Sequence, residues 1–124
     1  MPVATLTNDN FDAIVRDDGI VLLECWASWC KGCKEFAVVF ERAAEKNPDH
    51  TFAKVDTQAE GELTKRLGVS HTPTLILFRD GILLLRQPGY APEEALHEII
   101  GKAERLDMDR VRAAMEEEAT ETPA

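Results

Sequence analysis

The chain has 124 residues, 44% of them hydrophobic, with a formal net charge of −9 and a pI near 4.8. That length supplies one core and argues against two domains, and the negative charge argues against nucleic acid or an anionic membrane surface, whose phosphates would repel it. The opening Met1-Pro2-Val3-Ala4-Thr5-Leu6-Thr7-Asn8 has neither a basic start nor a long apolar stretch, and no later segment is apolar enough to span a bilayer. The expectation is therefore a cytoplasmic protein without a leader and without membrane contact.

Leu6 and the residues before it read as a short strand, and a helix is expected from Asn8 or Asp9, with Phe11, Ile14 and Val15 on one face and Asp17-Asp18-Gly19 as its stop. Ile20 to Ala27 is close to a continuous apolar run, the pattern of a strand covered on both faces. From Lys31 to about Asn47 the residues Phe36, Val39, Phe40, Ala43 and Ala44 recur at helical spacing, and Asn47-Pro48 ends the helix. Thr51–Asp56 reads as a strand and Glu60–Leu67 as a short helix closed by Gly68. Thr74–Phe78 and Ile82–Arg86, joined at Arg79-Asp80-Gly81, read as a hairpin, and Pro92 opens a last helix with Glu93 and Glu94 in its first turn.

Alternation of strand and helix followed by a hairpin and a closing helix describes an α/β fold, a mixed central sheet with helices on both faces. The stripe Leu96, Ile99, Ile100 and Ala103 loses phase around Asp107-Met108-Asp109, and Val111, Ala114 and Met115 begin another. Residues 1–106 are thus expected to form the domain and 107–124 a helical extension. Its end, from Glu116 to Ala124, is acidic and poor in large apolar residues, which predicts disorder.

Cys30-Lys31-Gly32-Cys33 sits where the apolar strand gives way to the long helix. Two cysteines three apart on the first turn of a helix can close into a disulfide with little backbone movement, and the free N–H groups there favour a thiolate on the first. A zinc ribbon would need a second ligand pair, but Cys25 lies inside the strand and His50, His71 and His97 are scattered singly. Covalent haem attachment needs His after the second cysteine, where this chain has Lys34. Thiol and disulfide chemistry remains, against the plainer reading of two inert cysteines sharing a helix face.

Trp26-Ala27-Ser28-Trp29-Cys30-Lys31-Gly32-Cys33-Lys34 resembles the active-site segment of the thioredoxin family, and Thr72-Pro73-Thr74 its cis-proline segment. Asp80-Gly81 and Gly89 fall where that family has its hairpin turn and a late glycine, so the likeness covers residues 3 to 105. The resemblance implies the thioredoxin fold, with about five strands in the sheet. It also implies Cys30 as nucleophile and Cys33 as resolving thiol. Cys33 to Phe36 is similar to thioredoxin-like domains of membrane electron-transfer reductases, which keeps a relay role open.

Two departures from the family pattern stand out. Lys31-Gly32 replaces the usual Gly-Pro, adding a cation and a backbone N–H beside Cys30. Glu24 stands where the family commonly has a buried aspartate, and is expected to take the proton from Cys33 through a water, with Lys54 as charge partner; a plain Glu24–Lys54 ion pair is the structural alternative.

Pro73, if cis, places the Thr72 backbone beside Cys30 to pair with an extended substrate. Trp29, Pro73, Gly89 and Tyr90 would form a flat apolar rim. Trp26 is expected in the core below, Cys25 as a buried inert thiol, and His71 either tunes the thiols or is simply solvated.

The reading is a protein-disulfide reductase with no bound cofactor or metal, acting as a monomer on disulfide-containing proteins and recharged by a separate reductase. The alternative is a thioredoxin-fold binding module or electron relay serving one partner.

Overall fold

A computed structural model describes residues 3–16 and 18–121. In chain order these form β1 (Val3–Thr5), α1 (Phe11–Ile14), β2 (Ile20–Trp26), α2 (Lys31–Lys46), β3 (Thr51–Asp56), α3 (Gly61–Arg66), β4 (Thr74–Arg79), β5 (Ile82–Pro88), α4 (Glu93–Arg105) and α5 (Met108–Glu121). One five-stranded sheet has the order β1-β3-β2-β4-β5. β1 and β2 run parallel to β3, whereas β4 is antiparallel to both β2 and β5.

The alternation of side chains along β2 sorts the core into two layers. Ile20 and Leu22 join Phe36, Phe40 and Ala43 of α2 and Leu96, Ile100 and Ala103 of α4 on one face. Val21, Leu23 and Cys25 join Leu63 and Leu67 near α3 and Phe11 of α1 on the other. Glu24, two residues beyond Leu22, accordingly falls on the α2 side. Phe40 holds that layer together, its ring 5.2 Å from Phe52 at a T-shaped angle and 6.1 Å from Phe36.

The hairpin turn is a two-residue one, with φ of 53° at Asp80 and 78° at Gly81, as expected from Asp-Gly. Asp80 also ties down the loop before β2, accepting from the Gly19 N–H at 2.9 Å while its own N–H donates to the Gly19 carbonyl at 2.9 Å. The first helix is shorter than expected. It starts at Phe11 because Asn10 turns back, its Oδ1 accepting from the Thr7 N–H and its Nδ2 donating to the Thr5 carbonyl at 3.0 Å. Asp17, read as part of its stop, lies outside the described residues; Gly19, with φ of 83°, supplies the left-handed turn.

The C-terminal extension departs further from expectation. α4 ends at Arg105, and the Arg79 guanidinium caps it by donating to the carbonyls of Ala103, Glu104 and Leu106. α5 then opens on Asp107, whose carboxylate accepts from the N–H groups of Asp109 and Arg110. Its buried anchor is Met108, not the stripe Val111, Ala114 and Met115, of which Met115 is 48% exposed. Arg112 adds an ion pair to Asp80 at 3.2 Å. The expected disorder from Glu116 onward is also corrected. α5 continues through Glu121, since Ala, Met and Glu dominate residues 113–119 and are all strong helix formers. Thr122, Pro123 and Ala124 lie outside the described residues.

Candidate active site

The site stands at the C-terminal end of β2, where α2 begins. Cys30 occupies the N-cap of α2 with extended backbone (φ −92°, ψ 111°), and its sulfur accepts the Cys33 N–H at 3.2 Å. A serine or aspartate oxygen commonly does this at a helix start; here a sulfur does, so a charge on Cys30 meets an N–H and the positive end of a 16-residue helix. The first turn of α2 contains no acidic residue and begins with exposed Lys31, an order that opposes the helix dipole but suits a neighbouring thiolate. Cys30 and Cys33 are joined as a disulfide with Cα atoms 5.3 Å apart, and Cys30 is 7% exposed against 3% for Cys33.

The Thr72–Pro73 peptide bond is cis. The Pro73 ring lies against Gly32, where a Cβ would stand 3.5 Å from Pro73 Cδ. Behind it the Pro73 carbonyl accepts from the Gly89 N–H at 2.7 Å, and Gly89 has φ of 96°, which a side chain would strain. Tyr90 packs edge-on to Phe36 with ring centres 6.2 Å apart and is 52% exposed, while Trp29 is 73% exposed. The flat rim is thus corrected at one point. Pro73 is buried between Gly32 and the chain leading to Gly89, so the exposed aromatic surface is that of Trp29 and Tyr90.

Glu24 is 3% exposed and lines a cavity of about 230 Å³ together with Trp26, Cys33, Lys34, Ala37 and Lys54. Burial pushes its carboxyl pKa up to about 7, the Lys54 ammonium pulling the other way and Glu41 adding slightly to the rise. Glu24 and Lys54 are in register across β2 and β3, yet among the described residues no ion pair within 4 Å joins them. The simple structural pair is therefore absent, and Lys54 acts on Glu24 through its field across the cavity.

Trp26 packs, as expected, against the buried cluster of Ala27, Cys30 and Cys33 beneath the dithiol, and as the half-buried last residue of β2 it also walls the Glu24 cavity. Cys25 points to the opposite layer and is 1% exposed, its thiol pushed up to about 12 chiefly by burial. It is inert on both counts. His71 is exposed and lines a groove of about 400 Å³ with Trp29, Thr57, Thr64, Ser70 and Thr72. Thr57, Thr64 and Ser70 were not legible as site residues. The signal that could have found them is position, since loops at the carboxyl ends of parallel strands gather around the site in open α/β sheets.

A dithiol capping a helix, a cis proline over it and a buried carboxyl behind it, on a mixed sheet covered on both faces, define a thiol-disulfide oxidoreductase. Comparison with known proteins agrees. The thioredoxin family profile matches residues 2–102. The protein assigned as thioredoxin 2 in Streptomyces coelicolor is 50% identical over 113 residues, 91% of this chain and 84% of that one. Thioredoxin of Alicyclobacillus acidocaldarius is 40% identical over 93 residues, 74% of this chain and 89% of that one. Among solved structures, a single-site mutant of thioredoxin from Halobacterium salinarum superposes with a TM-score of 0.77 at 30% identity, covering 84% of this chain and 92% of that one. The chain belongs to the thioredoxin family. Among the described residues no helix is long and apolar enough to cross a membrane.

Proposed function

We propose that the protein reduces disulfides in other proteins, as a monomer in a reducing cytoplasm, and is returned to the dithiol state by a separate reductase. In the reduced form the Cys30 thiolate attacks one sulfur of a substrate disulfide. The substrate S–S bond breaks, one substrate sulfur leaves as a thiolate that takes a proton, and the other is held in a mixed disulfide with Cys30. Cys33 then gives up its proton, attacks the Cys30 sulfur and expels the second substrate thiolate. Two electrons have passed to the substrate and the Cys30–Cys33 disulfide remains. The reductase restores the two electrons, and the one proton that Cys33 gave up returns to it.

Glu24 receives the Cys33 proton in this reading. A carboxyl that titrates near 7 is partly ionised at neutral pH and can both take and release a proton there. The cavity it shares with Cys33 has room for several waters, at about 30 Å³ each, to carry the proton between them. Lys54 holds enough of the carboxyl ionised to act. Lys31 and Gly32 support the Cys30 thiolate by charge and by a backbone N–H, and Trp29, Thr72, Pro73, Gly89 and Tyr90 receive the substrate segment, the Thr72 backbone pairing with it as an added strand.

The observation that carries the reading is the Cys33 N–H held on the Cys30 sulfur at the mouth of α2, which distinguishes the two thiols. The test is insulin reduction with dithiothreitol as donor. Cys30→Ser should abolish it, and Cys33→Ser should instead accumulate mixed disulfides that mass spectrometry identifies. Equal loss in both variants with no trapped adduct would remove the assignment of roles.

A further inference from the structure

Topology gathers four connections at one end of the sheet. β3 runs parallel to β2, β4 antiparallel to it and β5 antiparallel to β4, so the ends of β2, β3 and β5 and the start of β4 stand at the dithiol end. The chain holds 23 Asp and Glu, yet none occurs in 25–34, 67–78 or 86–92, which supply three of those connections. In the fourth, the Asp56 carboxylate accepts from the N–H groups of Gln58 and Ala59 at 3.0 and 3.2 Å, and Glu60 accepts from the Asn8 N–H at 2.9 Å. Lys31 and Lys34 are exposed on the first turn of α2 and make no ion pair among the described residues, while exposed Glu35 lies one turn beyond Lys31, away from the helix mouth. Lys34 walls the Glu24 cavity, but the ammonium that lowers the pKa of that carboxyl is that of Lys54. The uncommitted charges beside the dithiol are thus positive, on a chain whose formal net charge is −9.

Resting on the proposed disulfide reduction, we propose that Lys31 and Lys34 select substrate disulfides flanked by Asp or Glu. Two cations on the first turn of a helix oppose its dipole, and an anion drawn over that turn offsets them. An acidic flank has the opposite effect on attack by a simple thiolate, because it repels the nucleophile and raises the pKa of the leaving thiol. A preference for acidic substrates therefore has to come from cations of the protein. The net negative charge of the rest of the chain works against it only at long range, and at physiological ionic strength that repulsion is screened beyond about 8 Å, whereas the two lysines act within that distance of a chain bound across Cys30.

The test uses synthetic peptides with one internal disulfide, identical except for Asp or Lys on either side of one cysteine, together with the uncharged bis(2-hydroxyethyl) disulfide. Wild-type protein at low ionic strength should reduce the Asp peptide about three- to tenfold faster in kcat/KM than the Lys peptide. That ratio should approach unity between about 10 mM and about 1 M salt, as the screening length falls from about 30 Å to about 3 Å. Lys34→Gln should shrink the ratio, and Lys31→Gln with Lys34→Gln should bring it below about twofold. Because both peptides meet the same Cys30, the ratio is untouched by any change in thiol reactivity that loss of Lys31 brings. Lys102→Gln, an exposed change on α4, should leave it as in wild type. Equal rates for the two peptides in wild-type protein, a ratio unchanged in the double variant, or an equal loss in Lys102→Gln and Lys34→Gln would overturn the selection by Lys31 and Lys34. Failure of wild-type protein to reduce either peptide or the uncharged disulfide would instead overturn the reductase reading beneath it.

Discussion

Glu24 on β2 and Lys54 on β3 stand opposite each other in the parallel register and line one cavity with Cys33, yet no ion pair within 4 Å joins them. The carboxyl is therefore governed mainly by burial, and it titrates near 7, far above the ordinary 4.5. A buried acid in that state favours the folded protein when neutral and opposes it when charged.

The first prediction is a pH-dependent stability. The folded state holds the Glu24 proton where the unfolded state has lost it, so stability should fall as pH rises from about 4.5 to about 7 and stay reduced above that. Glu24→Gln should be near neutral at pH 4 and stabilising at pH 8, by up to about 3 kcal/mol at ~1.4 kcal/mol per pKa unit. Urea denaturation at the two pH values checks this. Equal effects at both would show that the carboxyl does not titrate as described.

The same substitution should act on one chemical step. With no acceptor for the Cys33 proton, Glu24→Gln should slow release of substrate from the mixed disulfide by about tenfold or more while leaving its formation nearly unchanged. Stopped-flow kinetics on a fluorescent disulfide peptide separates the two phases. The wild-type release rate should rise through pH 7 and the variant's should not.

Lys31 and Gly32 should set the reduction potential upward. Lys31→Gly with Gly32→Pro removes the cation and the extra N–H beside Cys30, which raises the thiol pKa and destabilises the reduced form. The potential should fall by about 30 mV for each pKa unit gained. Equilibration against the dithiothreitol couple measures it, and an unchanged or higher value would contradict the electrostatic account.

The C-terminal helix should be dispensable for chemistry but not for stability. Truncation after Arg105 removes buried Met108, the Leu106 carbonyl from the Arg79 cap and the Arg112–Asp80 pair. The expected loss is about 2–4 kcal/mol, mostly from Met108, since a half-exposed ion pair contributes at most about 1. Insulin reduction should persist at the wild-type rate below the lowered melting point. An unfolded product at 25 °C would place α5 in the core.

Much of the site was already legible in the sequence, because its decisive residues carry their chemistry locally. The Cys30–Cys33 spacing, the strand before it and the turn at Asp80-Gly81 each follow from short-range rules of periodicity and backbone freedom, and every strand was placed to within about two residues. The extension was less legible. Whether Val111 or Met108 is the apolar anchor depends on where Arg79 ends α4, a contact between residues more than twenty positions apart that no stripe reveals. The cavity behind Cys33 likewise exists only once β2, β3 and α2 are packed, and that packing decides that Glu24 and Lys54 share a space without touching. Sequence determined which groups could react; the tertiary structure decided their distances, and with them the pKa of Glu24, because desolvation depends on neighbours brought together by folding.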